Sequence, residues 1–135
     1  MIELLKSANR CIDSAKSALG TRGDWNQNTL LGYLVDVDTE VWIPRIKTIL
    51  ASQPDPKFGW WEPESDATIA RYAGLDIASV SVKLLEIRSE MLMLLKSVTD
   101  WDRDWIHETR GRLTLKDLLS WVLEHNEEHR ASYWY

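Results

Sequence analysis

The chain has 135 residues, 44% apolar and 27% charged, the composition of one soluble globular domain spanning residues 1–135 with a single sizeable core. Sixteen Lys and Arg against 21 Asp and Glu leave a net charge of −5 and no basic cluster, which argues against nucleic acid and anionic membranes as partners. One cysteine, Cys11, excludes an internal disulfide framework and a cysteine-built zinc site.

No apolar run is long enough for a membrane span, and MIELLKSANR lacks the layout of a signal peptide, so the expected compartment is the cytoplasm. Four segments show helical periodicity, none shows strand-like alternation, and no internal repeat is present. The first runs from Ile2 to Leu19, with Ile2, Leu5, Ala8, Ile12, Ala15 and Leu19 as its apolar stripe and Gly20 and Gly23 as its stop. The second runs from Gln27 to Leu50 behind Asn26 as N-cap, with Leu30, Leu34, Val37 and Val41 as stripe. Pro44 falls inside that pattern and predicts a kink or short break near Glu40 to Ile43.

Three prolines and a glycine make Ser52–Ser65 a loop. The third segment starts at Ser65 or Asp66 as N-cap and runs to Ser97, with Ile69, Tyr72, Leu75, Val82, Leu85, Leu92 and Leu95 buried and Gly74 a weak point rather than a stop. Thr99–Leu113 is a second long connection, rich in charge and tryptophan. The fourth helix begins at Thr114, which with Asp117 forms a variant capping box, and its apolar face is Leu115, Leu118, Leu119 and Val122. Four amphipathic helices predict an all-α four-helix bundle, and the two long connections permit a topology other than simple up-down-up-down.

Continued past Val122, the stripe of helix four reaches His125 and His129, one turn apart and both directed at the core side. Two imidazoles so placed can share a metal ion; equally, they can form a polar layer bonded to groups of other helices. Sharper motifs fail. Asn126 stands where a zinc protease needs Glu, and Val122 and Asn126 stand where a di-iron bundle needs Glu three residues before each His. There is no Gly-rich phosphate loop, no G-x-S-x-G and no C-x-x-C, and Cys11 reads as an inert thiol on a helix flank.

His107, in DWIHETRGRL, reads either as a ligand or acid/base group at the bundle mouth or, more plainly, as an exposed loop residue. Eight tryptophans are unusual for this length. Trp101 and Trp105 are four apart, Trp60 and Trp61 sit in the other long loop, Trp42 precedes Pro44, and Trp121 lies beside the stripe of helix four. They read as an aromatic mouth over the histidines, able to hold an apolar or thiol-conjugated molecule, or as caps of the bundle that bridge a homodimer. The acidic run Asp36, Asp38, Glu40 reads as a solvated face.

LLGYLVDVDTEVWIPRI (Leu30–Ile46), FGWWEPES (Phe58–Ser65) and LTLKDLLSWVLEHNEEHR (Leu113–Arg130) together resemble the DinB-like superfamily of the DinB/YfiT type, in order over nearly the whole chain. The resemblance implies a bundle of up-down-down-up topology, often dimeric. It also implies a nickel or zinc ion held by one histidine of helix two and two of helix four, serving thiol-cofactor transferase, isomerase or hydrolase reactions. His125 and His129 match the helix-four pair. In helix two the chain reads Leu31-Gly32-Tyr33-Leu34, so Tyr33 stands in place of the first histidine. Three outcomes follow: Tyr33 ligates as phenolate; a carboxylate, Asp36 before Glu40, substitutes; or tight metal binding is lost and Tyr33 donates a hydrogen bond to a histidine. The expected site is therefore His125 and His129 with Tyr33 or Asp36 as third position, and Tyr33, Trp105, His107 and Trp121 as pocket. The function expected is that of a metal-dependent enzyme on a small, thiol-type substrate, or of a non-catalytic bundle that binds a ligand or partner.

Overall fold

A computed structural model describes residues 2–51 and 54–135, so the expected loop residues Ser52 and Gln53 lie outside the described residues. Helix α1 spans Ile2–Ser17. It buries Leu4, Ala8, Cys11, Ile12 and Ala15, while Ile2 and Leu19 are exposed. Its inward face is therefore turned slightly from the expected stripe, towards the Leu4–Cys11 edge.

Asn26 caps α2, Gln27–Val37, by accepting from the Thr29 amide at 2.8 Å. The kink expected from Pro44 is a π-helical turn over Asp38–Trp42, followed by α3, Ile43–Leu50, with Pro44 in its first turn. A proline ring crowds the carbonyl four residues back, and widening the helix relieves that crowding. The turn carries the Ile43 amide to the Asp38 carbonyl and leaves Asp38 fully buried.

The third expected helix is two. Glu64, rather than Ser65 or Asp66, caps α4, Ser65–Tyr72, its carboxylate accepting from the amides of Asp66 at 3.0 Å and Ala67 at 2.7 Å. The chain then breaks at Gly74, and Asp76 caps α5, Ile77–Leu95, by accepting from the Ser79 amide at 2.7 Å. Asn26 and Asn28 donate to the Ala73 and Leu75 carbonyls, so the break leaves these acceptors satisfied. The break also resets the helical phase. Val80, Leu84, Arg88, Met91 and Leu95 now face inward, and Ile69 and Val82 face out.

The second connection is not a loop. It holds a three-stranded sheet in which β2, Asp104–His107, pairs antiparallel with β3, Gly111–Thr114, and parallel with the short β1, Lys57–Phe58. Trp105 and His107 point inward from β2 and Asp104 outward, an alternation of period two too short to stand out in the sequence. Helix α6, Leu115–Tyr133, starts at the expected Thr114–Asp117 capping box. The four-helix bundle is thus formed by α1, α2 with α3, α4 with α5, and α6. Among the described residues no helix is long and apolar enough to cross a membrane.

Two apolar clusters fill the bundle, and an ion pair lies between them. Arg88 Nε donates to Asp38 Oδ2 at 2.9 Å, Nη1 to the Leu4 carbonyl at 2.8 Å and Nη2 to Asn126 Oδ1 at 2.9 Å. Asp36 is buried too, accepting from Thr68 Oγ1 at 2.7 Å, Arg71 Nη2 at 2.6 Å and the Tyr72 hydroxyl at 2.7 Å. The acidic run is therefore not a solvated face; only Glu40 of the three is exposed. Gly32 allows the Tyr72 contact, since a Cβ there would lie 2.1 Å from the Tyr72 ring.

Arg88→Met is expected to cost about 3–5 kcal/mol, because it strands the Asp38 carboxylate without its partner. The double replacement Arg88→Met, Asp38→Leu should recover most of that loss. Urea unfolding followed by tryptophan fluorescence checks both values; a single-variant cost below about 1 kcal/mol would contradict the buried pair.

Candidate functional site

The capping box sets the phase of α6. Thr114 Oγ1 accepts from the Asp117 amide at 3.1 Å and the Asp117 carboxylate accepts from the Thr114 amide at 2.8 Å. Leu115, Leu118 and Val122 then face the core, and the next core position is taken by Asn126, held by Arg88. The histidines flank that line rather than both continuing it. His125 is half-buried and lines a cavity; His129 is buried behind it.

His129 Nε2 lies 2.9 Å from the Leu30 carbonyl oxygen. A carbonyl only accepts, so Nε2 carries the ring proton. The ring stacks on Tyr33 at 5.3 Å and 15° and meets Tyr133 and Trp134 at 4.7 and 5.2 Å. Burial pushes its pKa down to about 4, against the upward pull of the Leu30 hydrogen bond. His125 packs against Tyr33 and Trp42 at 5.9 and 6.2 Å. Burial lowers its pKa as well, against Glu128 and Glu62, which raise it. Its Nδ1 is buried with no hydrogen-bond partner among the described residues.

Burial raises the Tyr33 pKa, with Glu62 adding to the shift, so a phenolate is disfavoured there. Asp36 faces α4 and is held by Thr68, Arg71 and Tyr72, so it is not placed as a third ligand. Tyr33 meets both imidazoles through its ring, and among the described residues its hydroxyl makes no hydrogen bond to either. Two rings sharing a tetrahedral ion through metal–nitrogen bonds of about 2.1 Å would have centroids roughly 5 Å apart. Those of His125 and His129 are 6.3 Å apart. Among the described residues no group of three or more His, Cys, Asp or Glu is placed to hold an ion. As they stand, these side chains do not fit a three-ligand metal centre.

The cavity beside His125 measures about 380 Å³. Tyr33, Val37, Val41, Trp42 and Arg45 line it from α2, the π turn and α3; Trp60, Trp61 and Glu62 from the segment before α4; His107 and Arg110 from the β hairpin; and Trp121, Glu124, His125 and Glu128 from α6. His107 is buried on β2 rather than exposed in a loop. Its Nδ1 accepts from the amides of Thr109 and Arg110, both at 3.2 Å, which leaves its proton on Nε2. Burial, then the nearby Arg45, lowers its pKa. Trp121 lines the cavity as expected. Trp105 does not: it is fully buried, donates from Nε1 to the Thr114 carbonyl at 2.9 Å, and backs Trp121 and His107 edge-on at 5.7 and 6.1 Å.

Sequence reasoning missed Arg45, Arg110 and Glu62. Arg45 had a readable signal: it stands four residues after Val41 and eight after Val37, a cation in phase with an apolar stripe. Arg110 and Glu62 reach the cavity only through the sheet and the proline-rich segment.

No protein-family model matches the sequence, and no curated protein matches it. Among solved structures the chain is similar to YfiT from Bacillus subtilis, described as "a probable metal-dependent hydrolase with an unusual four-helix bundle topology". The TM-score is 0.64 at 20% identity, with 95% of this chain and 80% of that one covered. The two share the four-helix-bundle fold.

His129 binds its proton more weakly when folded than the ordinary histidine value near 6.5. Between pH about 6.5 and about 4 the unfolded chain therefore holds the extra proton, and stability falls as pH falls. This contribution is complete above about pH 6.5 and amounts to roughly 3 kcal/mol. Urea unfolding of the wild type and His129→Gln between pH 4 and 7 should show that slope only where His129 is present. Parallel curves would contradict it.

Proposed function

We propose that the cavity is a small-molecule site served by neutral histidines and that it works without a resident three-ligand metal. The observation carrying this reading is the cavity itself, about 380 Å³ in volume, whose wall brings His125 and His107 together with Tyr33, Trp42 and Trp121. With its pKa lowered by burial, His125 is neutral at pH 7 and can accept a hydrogen bond, or the proton itself, from a bound hydroxyl or thiol. His107 complements it as a neutral ring whose remaining proton is on Nε2. Tryptophan walls supply the apolar contact a small ligand needs.

A second reading is favoured by the placement of His125 and His129 one turn apart beside Tyr33, and by the fold shared with YfiT, which is described as a probable metal-dependent hydrolase. In that reading the histidine pair belongs to a nickel or zinc site completed by a rearranged helix two, and the chain is a thiol-transferase-like or hydrolase-like enzyme.

Metal analysis separates the two. Tag-free protein, dialysed after exposure to nickel or zinc, is expected to retain less than about 0.2 equivalents by plasma mass spectrometry. Tyr33→His, which restores a third imidazole, is expected to tighten zinc binding roughly tenfold or more. About one retained equivalent in the wild type, lost in His125→Ala, would overturn the metal-free reading in favour of the second.

A further inference from the structure

Among the described residues, buried Asp and Arg side chains come in ion pairs, with one exception. Asp38 has Arg88 and Asp36 has Arg71. Arg45 is 8% exposed, yet among the described residues no carboxylate stands within ion-pair distance of it. Its Nη2 donates to the Gly59 carbonyl, and its guanidinium lies 5.8 Å from the Trp42 ring centroid and 5.4 Å from that of Phe58. These rings hold the group in place without neutralising it. The Glu108 carboxylate packs over Gly59 without reaching ion-pair distance of Arg45. Burial is the sole cause shifting the Arg45 pKa, and it acts downward with no acid opposing it. A guanidinium still stays charged at neutral pH.

A buried charge without a partner is costly, and proteins keep such a group where something else supplies the counter-charge. Arg45 lines the cavity, and so does Arg110, whose guanidinium sits 5.6 Å from the Trp121 ring. The carboxylates of Glu62, Glu124 and Glu128 also line it, but all three residues are exposed, where water and salt screen them. Of the charged groups in the lining, Arg45 is buried, while Arg110 and the three carboxylates are exposed.

We propose that the cavity takes a small organic anion, with its carboxylate, sulfonate or phosphate seated on Arg45 and an aromatic or apolar body against Trp42 and Trp121. The guanidinium N–H groups not used on Gly59 form charge-assisted hydrogen bonds to the anion, with geometry suited to two oxygens at once. The indoles give the body its contact area. His125, in the same wall, is left to meet a hydroxyl, amine or thiol on the same molecule. This inference rests on the small-molecule reading above and adds the charge of the ligand to it.

Two fluorescent dyes with nearly the same body test it: 1-anilinonaphthalene-8-sulfonate, an anion, and N-phenyl-1-naphthylamine, which lacks the sulfonate. The wild-type protein is expected to bind the sulfonate about tenfold or more tightly than the neutral dye. Arg45→Gln should weaken the sulfonate by about the same factor and leave the neutral dye within about twofold, while Arg45→Lys restores part of the preference. Equal binding of the two dyes by the wild type overturns the inference whether or not Arg45→Gln folds. A preference that survives in folded Arg45→Gln also overturns it, placing the dye elsewhere, for example in the apolar groove of Leu5, Leu92 and Met93 beside Lys96. In both cases the small-molecule reading stands. If neither dye binds, that reading falls, and the anion inference with it.

Discussion

Arg88 and Asp38 meet in the middle of the bundle with side chains 0% and 1% exposed, and four parts of the chain are brought together by the hydrogen bonds they make. Two charges moved out of water lose several kcal/mol each in hydration, so such a pair is tolerable only when nearly every donor and acceptor is used. Arg88 meets that condition by donating to Asp38, to the Leu4 carbonyl and to Asn126 Oδ1, which Ser7 Oγ also approaches at 3.3 Å. Helices α1, α5 and α6 are thereby set in register with the π turn. Asn126 is drawn inward, so the residue before it, His125, is turned to the cavity, and His129, one turn on, is turned to the Leu30 carbonyl. The chemistry of the site follows from where the buried pair fixes α6.

The same accounting of buried charge separates structure from function. Asp36 and Asp38 are each neutralised by an arginine and help hold the fold. Arg45 and His125 line the same cavity, and among the described residues Arg45 has no counter-charge within ion-pair distance. An unpaired buried charge lowers the stability of the empty protein, and a ligand that neutralises it stabilises the folded state by mass action. The Tyr33 ring, stacked on His129, fills space beside the histidine pair. The pocket that results is built from aromatic faces and neutral imidazoles.

Much of the fold was legible because it rests on local signals. The Asn26 cap, the Pro44 disturbance and the Thr114–Asp117 box all act within a turn, and all three stand where the sequence places them. Errors arose where a distant partner decides the outcome. Gly74 ends a helix because Asn26 and Asn28 cover the freed carbonyls, and a polar residue 47 positions away is invisible to periodicity. The stripe of α5 was read in part: Leu95 is buried and Leu85 and Leu92 pack against the core as expected, but Val82 faces out and an arginine occupies the centre of the face. Asp36 and Asp38 passed for surface residues because their cations lie on α4 and α5. Of the site, His125, Tyr33, His107 and Trp121 were named from the sequence and line one cavity. Trp105 supports that cavity from behind, and His129 lies behind Tyr33. Arg45 was passed over because a single basic residue carries no motif; its phase with Val37 and Val41 was one signal, and its burial without an acid is the other.

On this reading the cavity binds an organic anion through Arg45 rather than a metal through the histidine pair. A crystal grown with both nickel and 4-bromophenylacetate tests it in one experiment, because nickel and bromine are located independently by anomalous scattering. The expected result is a bromine peak among the tryptophans, a carboxylate on Arg45, and Tyr33 still stacked on His129. A nickel peak shared by His125 and His129, with Tyr33 displaced and no bromine in the cavity, would contradict it.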